Sequence, residues 1–355
     1  MHSVTQEEYH LLVQAAHDLL SRRAPLETLS EREASHDGHD RALWREMADL
    51  GWTGLLIEDV HGGVNGNHAS LGLLSEEMGR VLLPSPFLAA AAAARALGVI
   101  GSDLAAEQLQ GLAEGTSISV LAVGEGDWTA LPETVFVNGR VTGRKRFIDG
   151  ACDADTLLVT AQNGNGSIRL VRVDVGDDGV SVTPTMAMVR GIWGDAEFRD
   201  VQGVDLGDAN AAVTSAVATA AVAVSAWCAG AIDQLLWDTV RYVSERRQFG
   251  VPIGSFQSVQ HSLVDCSIAA AESLTLARHA ATLLDAADMS YRRLTSTAFV
   301  HATRSFVSGT RRCHQAWGGM GFSTDALVHH FSRRAKMVQH SWGGPSYHLE
   351  IVAEE

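Results

Sequence analysis

Two short segments gather the residue types that bind phosphate. Arg246-Arg247-Gln248-Phe249-Gly250 closes a long helical pattern that Gly250 and Pro252 break, and a new helix starts near Ser255-Phe256-Gln257. A guanidinium fork satisfies two oxygens of a diphosphate at once. Arginines at a helix end also serve as solvated charges matched to the helix dipole, which for a lone pair is the commoner arrangement. Some 65 residues on, Gln315-Ala316-Trp317-Gly318-Gly319 is followed by Met320-Gly321-Phe322. Its glycines either let a backbone approach a phosphate closely or make only a turn.

Other chemistries find little support. Cys152, Cys228, Cys266 and Cys313 are widely spaced, without a Cys-x-x-Cys pair or a histidine at zinc-finger spacing, so no metal site is expected and they read as reduced, mostly buried thiols. The net charge of −15 and the lack of a basic block argue against nucleic acid and anionic membranes as partners. The amino terminus is polar and acidic, unlike a signal peptide, so a cytoplasmic protein is expected. Ala211–Cys228 is apolar but dominated by alanine and valine, with no aromatic belt, and reads as a buried soluble helix rather than a membrane span.

The elements that must position these segments follow from periodicity. Residues 5–115 are helical in pattern, starting from a Ser3/Thr5 cap region and running through Leu11, Leu12, Ala15, Leu19 and Leu20. Two further stripes follow, one of Leu43, Trp44, Met47 and Leu50 and one of Leu71, Leu74, Met78 and Val81. Between about 117 and 205 short β-branched runs alternate with turns, Asn138-Gly139 giving a hairpin signal and Asn163–Gly166 joining the next two strands. Long alanine- and leucine-rich helices resume from Asp208. The expected class is α+β in three domains: 1–116 helical, 117–206 a small β domain, and 207–355 a four-helix bundle. No Gly-x-Gly-x-x-Gly follows a strand, so a nucleotide cofactor needs another arrangement.

Taken together, the string Arg246 to Gln257 resembles the carboxy-terminal helical domain of acyl-CoA dehydrogenases, with its Arg-x-x-Phe-Gly turn followed by Pro-Ile-x-x-Phe-Gln. Gln315–Gly321 resembles the family's Gln-x-x-Gly-Gly-x-Gly segment, at the family's interval. Leu43–Trp52, Gly62-Gly63 and Glu76–Arg80 are similar to the family's first domain, and Gly143–Asp149 with Ala154–Val159 to its middle strands. The resemblance implies FAD as cofactor. Arg246 would meet its pyrophosphate, Gln248, Phe249 and Gln257 would pack or hydrogen-bond around it, and Gln315, Gly318 and Gly319 would reach the FAD of a neighbouring subunit. Phe147 and Ile148 would lie against the isoalloxazine ring. An acyl-CoA substrate is implied, and electron-transfer flavoprotein is a partner the resemblance allows.

Family members remove the acyl α-proton with a glutamate, a base that must be anionic and placed. The position matching it holds Trp342, in Ser341-Trp342-Gly343-Gly344-Pro345. The position used by a minority falls near Ala220, with no acid between Asp208 and Asp233. Glu350, Glu354 and Glu355 read as solvated terminal acids. Asp149 stands where a hydroxyl residue normally faces flavin N5, Arg334 replaces an aspartate, and Leu121–Trp128 keeps Glu125 but lacks the family's Gly-Ser-Asp element. No catalytic residue is therefore assigned. The expected role resembles that of the base-lacking subunit in actinobacterial heteromeric enzymes of steroid side-chain breakdown, whose homologous partner carries the glutamate, in a heterotetramer. The alternatives are a homo-oligomeric flavoprotein with other chemistry, such as oxygen-dependent hydroxylation, and a scaffold subunit without flavin.

Overall fold

The computed structural model describes residues 6–34, 40–185, 188–189, 192–324 and 326–354; the Ser3/Thr5 cap and Glu355 lie outside them. Helices α1 (Gln6–Arg23), α2 (Leu29–Ala34), α3 (Arg41–Asp49), α4 (His68–Arg80), α5 (Phe87–Ile100) and α6 (Asp103–Ala113) come first. Asp40 caps α3 by accepting from the amides of Ala42 and Leu43, and Asn67 caps α4 through the Ser70 amide. Leu43, Trp44, Met47, Leu71, Leu74 and Met78 are buried, as their spacing predicts. Leu11 and Leu50 instead face outward.

The strands are β1 (Ser119–Ala122), β2 (Val135–Val137), β3 (Arg140–Ile148), β4 (Thr156–Asn163), β5 (Ile168–Asp174), β6 (Val180–Pro184), β7 (Gly194–Gln202) and β8 (Val204–Asp208). They form one sheet in the order β6-β7-β3-β2-β4-β5-β8, with β1 paired to β4. Val137 pairs with Arg140 across Asn138-Gly139, both with positive φ, which is the turn that suits strand twist.

The chain then returns to helices: α7 (Asn210–Glu245), a small hairpin of β9 (Arg247–Gln248) and β10 (Val251–Pro252), α8 (Gln257–Asp285), α9 (Tyr291–Trp317), α10 (Val328–Gln339) and α11 (Gly344–Glu354). α7, α8 and α9 pack on one another, with α10 and α11 against α9. The apolar half of α7 is buried in the protein interior, where its small side chains allow close helix approach.

α4 crosses α7 at a pair of glycines. A methyl group on Gly79 would fall 2.0 Å from the Trp227 carbonyl oxygen, and one on Gly230 would fall 2.0 Å from that of Glu76. Any side chain there would force the helices apart. Beside this crossing Arg80 pairs with Glu76, Glu77 and Asp233, so the first helices are clamped to the bundle by packing and charge together.

Candidate functional site

The phosphate-type segments meet at one end of the bundle. α7 stops at Glu245, Arg246 turns into extended backbone, and the β9–β10 hairpin follows. Its tip is Phe249-Gly250, with φ of 54° and 82°. A left-handed phenylalanine costs about 1–2 kcal/mol, and Phe249 is 92% exposed, with an edge-to-face contact to Phe256 at 6.3 Å. Tyr242 of α7 stacks on Trp317 of α9 with ring centroids 4.0 Å apart, and the Trp317 indole donates to Thr239 Oγ1 at 3.1 Å. That stack sets Gln315, Gly318 and Gly319 beside the end of α7. Methyl groups on Gly250, Gly318 and Gly319 would touch nothing in this chain.

Among the described residues, Arg246 and Arg247 form no ion pair and their guanidiniums no hydrogen bond. Gln248 bonds only to the Arg247 carbonyl, and Gln257 and Gln315 are exposed. Met320, Phe322 and Phe256 are exposed around the same end. Unpaired guanidiniums, open glycine backbone and exposed aromatic rings fit a diphosphate and an aromatic base shared with another chain.

A second group lies between the sheet and α10–α11. Phe147, with φ 52°, stacks on Trp193 at 6.1 Å and faces a groove that Trp128, Arg146, Gln339 and Trp342 also line. Ile148 is only 3% exposed and belongs to the core, so Phe147 carries the open surface of the pair. Trp342 has φ 51° and is itself buried. Its indole donates to Asp149 Oδ2 at 3.3 Å, and its carbonyl is held by His348 Nε2 at 3.1 Å. Burial pushes His348 down to about 4, against the hydrogen bond to that carbonyl. The neutral ring therefore donates from Nε2 and accepts at Nδ1 from Ser296. Phe147, Phe249 and Trp342 are the three aromatic residues of positive φ among the described residues, and all belong to the candidate site.

Asp149 Oδ2 and the Trp342 indole are in direct contact. The residues at the bundle end fit the diphosphate of FAD, while the Asp149 carboxyl is already engaged by Trp342. Burial pushes Asp149 up to about 7 despite the Trp342 bond. Ala220 is fully buried in the bundle, and Glu350 and Glu354 are exposed on α11. The groove wall contains none of Arg246, Gln248, Phe249, Gln257, Gln315, Gly318 or Gly319.

Two carboxylates, Glu125 and Glu33, make ties whose partners the sequence did not show. Glu125 is consumed internally: it accepts from fully buried Lys145 Nζ at 2.6 Å and from the amides of Glu133 and Thr134. Lys145 shares the inward face of β3 with Val141, an in-out pattern that marks it as a cation needing a partner.

Glu33 binds Arg333 at 2.9 Å, His330 at 3.1 Å and Arg334, tying α2 to α10. Burial alone would raise its pKa. The His330 hydrogen bond and the charges of Arg334, His330 and Arg333 outweigh that and hold it at about 2. A carboxyl depressed from 4.5 stabilises the fold above pH 4.5, and that contribution disappears as pH falls towards 2. Its size is about 3 kcal/mol. Acid titration followed by circular dichroism should show Glu33→Gln already destabilised at pH 6, with a shallower further loss below pH 4.5 than the parent chain.

Comparison with known proteins places these features. Two family models match, one described as acyl-CoA dehydrogenase, N-terminal domain, over residues 6–116, and one as acyl-CoA dehydrogenase, C-terminal domain, over residues 210–355. Acyl-CoA dehydrogenase FadE28 of Mycobacterium tuberculosis is 30% identical over 324 residues, covering 87% of this chain and 91% of that protein. Acyl-CoA dehydrogenase IpdE2 of the same organism is 29% identical over 330 residues, covering 93% and 91%. The solved Tcur3481-Tcur3483 steroid ACAD superposes with a TM-score of 0.89 at 28% identity, covering 98% of this chain and 97% of that one.

Proposed function

As the chain belongs to the acyl-CoA dehydrogenase family of FAD-dependent oxidoreductases, we propose that it is the base-lacking subunit of a heteromeric acyl-CoA dehydrogenase. The observation that carries the proposal is the contact of Trp342 with Asp149: an indole stands at the base position and engages the carboxyl beside it. The unpaired guanidiniums and open glycine backbone at the bundle end support its completing a flavin site in a partner. FAD supplies the hydride acceptor for α,β-dehydrogenation of an acyl-CoA. Arg246 would hold its pyrophosphate and Gln315, Gly318 and Gly319 would offer backbone and amide contacts, with Phe249 covering the cofactor from solvent. The homologous partner would bring the ring pocket and the glutamate. Relatives such as the Tcur3481-Tcur3483 steroid ACAD support a two-chain assembly and a bulky acyl group as substrate. A cytoplasmic setting, with electron-transfer flavoprotein as acceptor, completes this reading.

The test is co-expression with a homologue that carries the glutamate. Purified alone, the chain should show turnover at least a thousandfold below the pair with an artificial electron acceptor, and the pair should contain one FAD for each two chains. Full turnover by this chain alone, or one FAD per chain, refutes the assignment. Losing a positioned general base alone removes about 10²–10⁴-fold of rate.

A further inference from the structure

Two of the buried cysteines meet across the bundle. Cys266 projects from α8 towards α9, where its Sγ lies 3.8 Å from the Gly309 carbonyl oxygen. There it hydrogen-bonds with the thiol of Cys313, one helical turn further along α9. The residues just before the two cysteines, Asp265 and Arg312, form an ion pair at 2.8 Å that fixes the register of the helices at this point. Thiols converging from facing helices meet the main geometric demand of a disulfide. Their surroundings make the two sulfurs unequal. The contact with Cys313, helped by the charge of Arg312, lowers the Cys266 thiol from its usual value against burial and Asp265. The same contact and burial push Cys313 up. The thiolate is the nucleophile, so Cys266 is the sulfur that reacts first. Asp265 and Ser267 on either side of it are exposed, which puts that sulfur just beneath the outer surface of α8. Cys152 is exposed as a residue, but its thiol donates to the Trp193 carbonyl at 3.3 Å and is pushed up to about 11, chiefly by burial. Cys228 is fully buried on α7.

We propose that Cys266 and Cys313 are an oxidisable dithiol, which hydrogen peroxide converts into a disulfide joining α8 to α9. The Cys266 thiolate attacks one peroxide oxygen, the O–O bond breaks, and the departing hydroxide takes up the thiol proton as water, leaving a sulfenic acid. The Cys313 sulfur then attacks that sulfur, the S–O bond breaks, and a second water leaves with the Cys313 proton. Two thiols and one peroxide thus give one disulfide and two waters. Cys313 also hydrogen-bonds Thr239, whose Oγ1 receives the Trp317 indole at 3.1 Å. Loss of the Cys313 S–H therefore alters the anchor of the Tyr242–Trp317 stack. The dithiol needs neither FAD nor a partner chain, so it stands apart from the subunit assignment.

Treatment of the full chain with hydrogen peroxide, followed by nonreducing peptide mass spectrometry, tests it. A peptide pair joined through Cys266 and Cys313 is expected, released again by dithiothreitol, and Cys152→Ser should cross-link as the parent does. In Cys313→Ala the Cys266 sulfenic acid should persist and be trapped by dimedone, whereas Cys266→Ala should leave Cys313 unmodified. Should either alanine variant fail to fold, the joined pair in the parent still decides. Tryptophan emission should shift on cross-linking, and the shift should be lost in Trp317→Phe. Absence of the joined pair in the parent, dimedone labelling of Cys313 in place of Cys266, or a cross-link that requires Cys152 would each overturn the proposal. An unchanged emission in the cross-linked parent would overturn the link to Trp317.

Discussion

Arg246→Ala, in the chain co-purified with a glutamate-carrying partner, is expected to yield a complex largely stripped of FAD. The Arg246 residue is exposed at the end of α7 and free of any ion pair among the described residues, and the Tyr242–Trp317 stack joins that end of α7 to the end of α9. Removing a charged, two-pronged donor from a pyrophosphate costs about 3 kcal/mol, on the order of a hundredfold in affinity. Because the residue caps no buried network, the fold should be unaffected, and circular dichroism should match the parent. Arg241→Ala provides the control: it lies less than two turns earlier and pairs with Asp238. Unchanged flavin absorbance in Arg246→Ala would reduce Arg246 to a solvated helix end.

The largest stability effect is expected at the β domain. Lys145 is fully buried, and its ammonium bonds Glu125, the Val123 carbonyl and Thr160 Oγ1. Burial pushes it down to about 8, and Glu125 limits the fall. Glu125→Ala strands that charge and should cost about 3–5 kcal/mol, read from urea unfolding at pH 7. The sign of its pH dependence follows from proton counting. Between the folded and unfolded pKa values of the lysine the unfolded chain holds more protons, so stability rises with pH and part of the loss should return by pH 9. Pairing Glu125→Ala with Lys145→Met should be milder than Glu125→Ala alone; a double variant no more stable than the single one would show that Lys145 is not the source of the loss.

Much of the architecture was legible in the sequence because it rests on local chemistry. Asn138-Gly139 makes its turn whatever surrounds it, and the stripe through Leu71, Leu74 and Met78 is buried because helical period alone puts these residues on one face. The hairpin tip at Phe249-Gly250 was equally readable as a helix break. β7 was not, because Gly194–Gln202 carries Asp195, Glu197, Arg199 and Asp200 along its outer side, and the left-handed Asp200 interrupts the alternation. Of the candidate site only the arginine and glycine half was legible. The bond from Trp342 to Asp149 spans 193 positions and the tie between Glu33 and Arg334 spans 301, and neither has any local signature. Trp342 could be recognised as a missing base, but that its indole also engages Asp149 depends on a backbone of φ 51° held by His348.

The tie from Glu33 to α10 also sets an order of events. α2 emerges from the ribosome long before Arg333 and Arg334, and until they arrive its carboxylate has none of the cationic partners that hold it in the finished protein. The amino-terminal helices cannot reach their final electrostatic state during synthesis and must wait for almost the whole chain. Contacts of such high sequence separation slow folding and leave apolar surface uncovered meanwhile. A nascent chain stalled before α10 should therefore expose α1–α4 to chaperones, and a homologous partner translated nearby would meet the bundle end only after that closure.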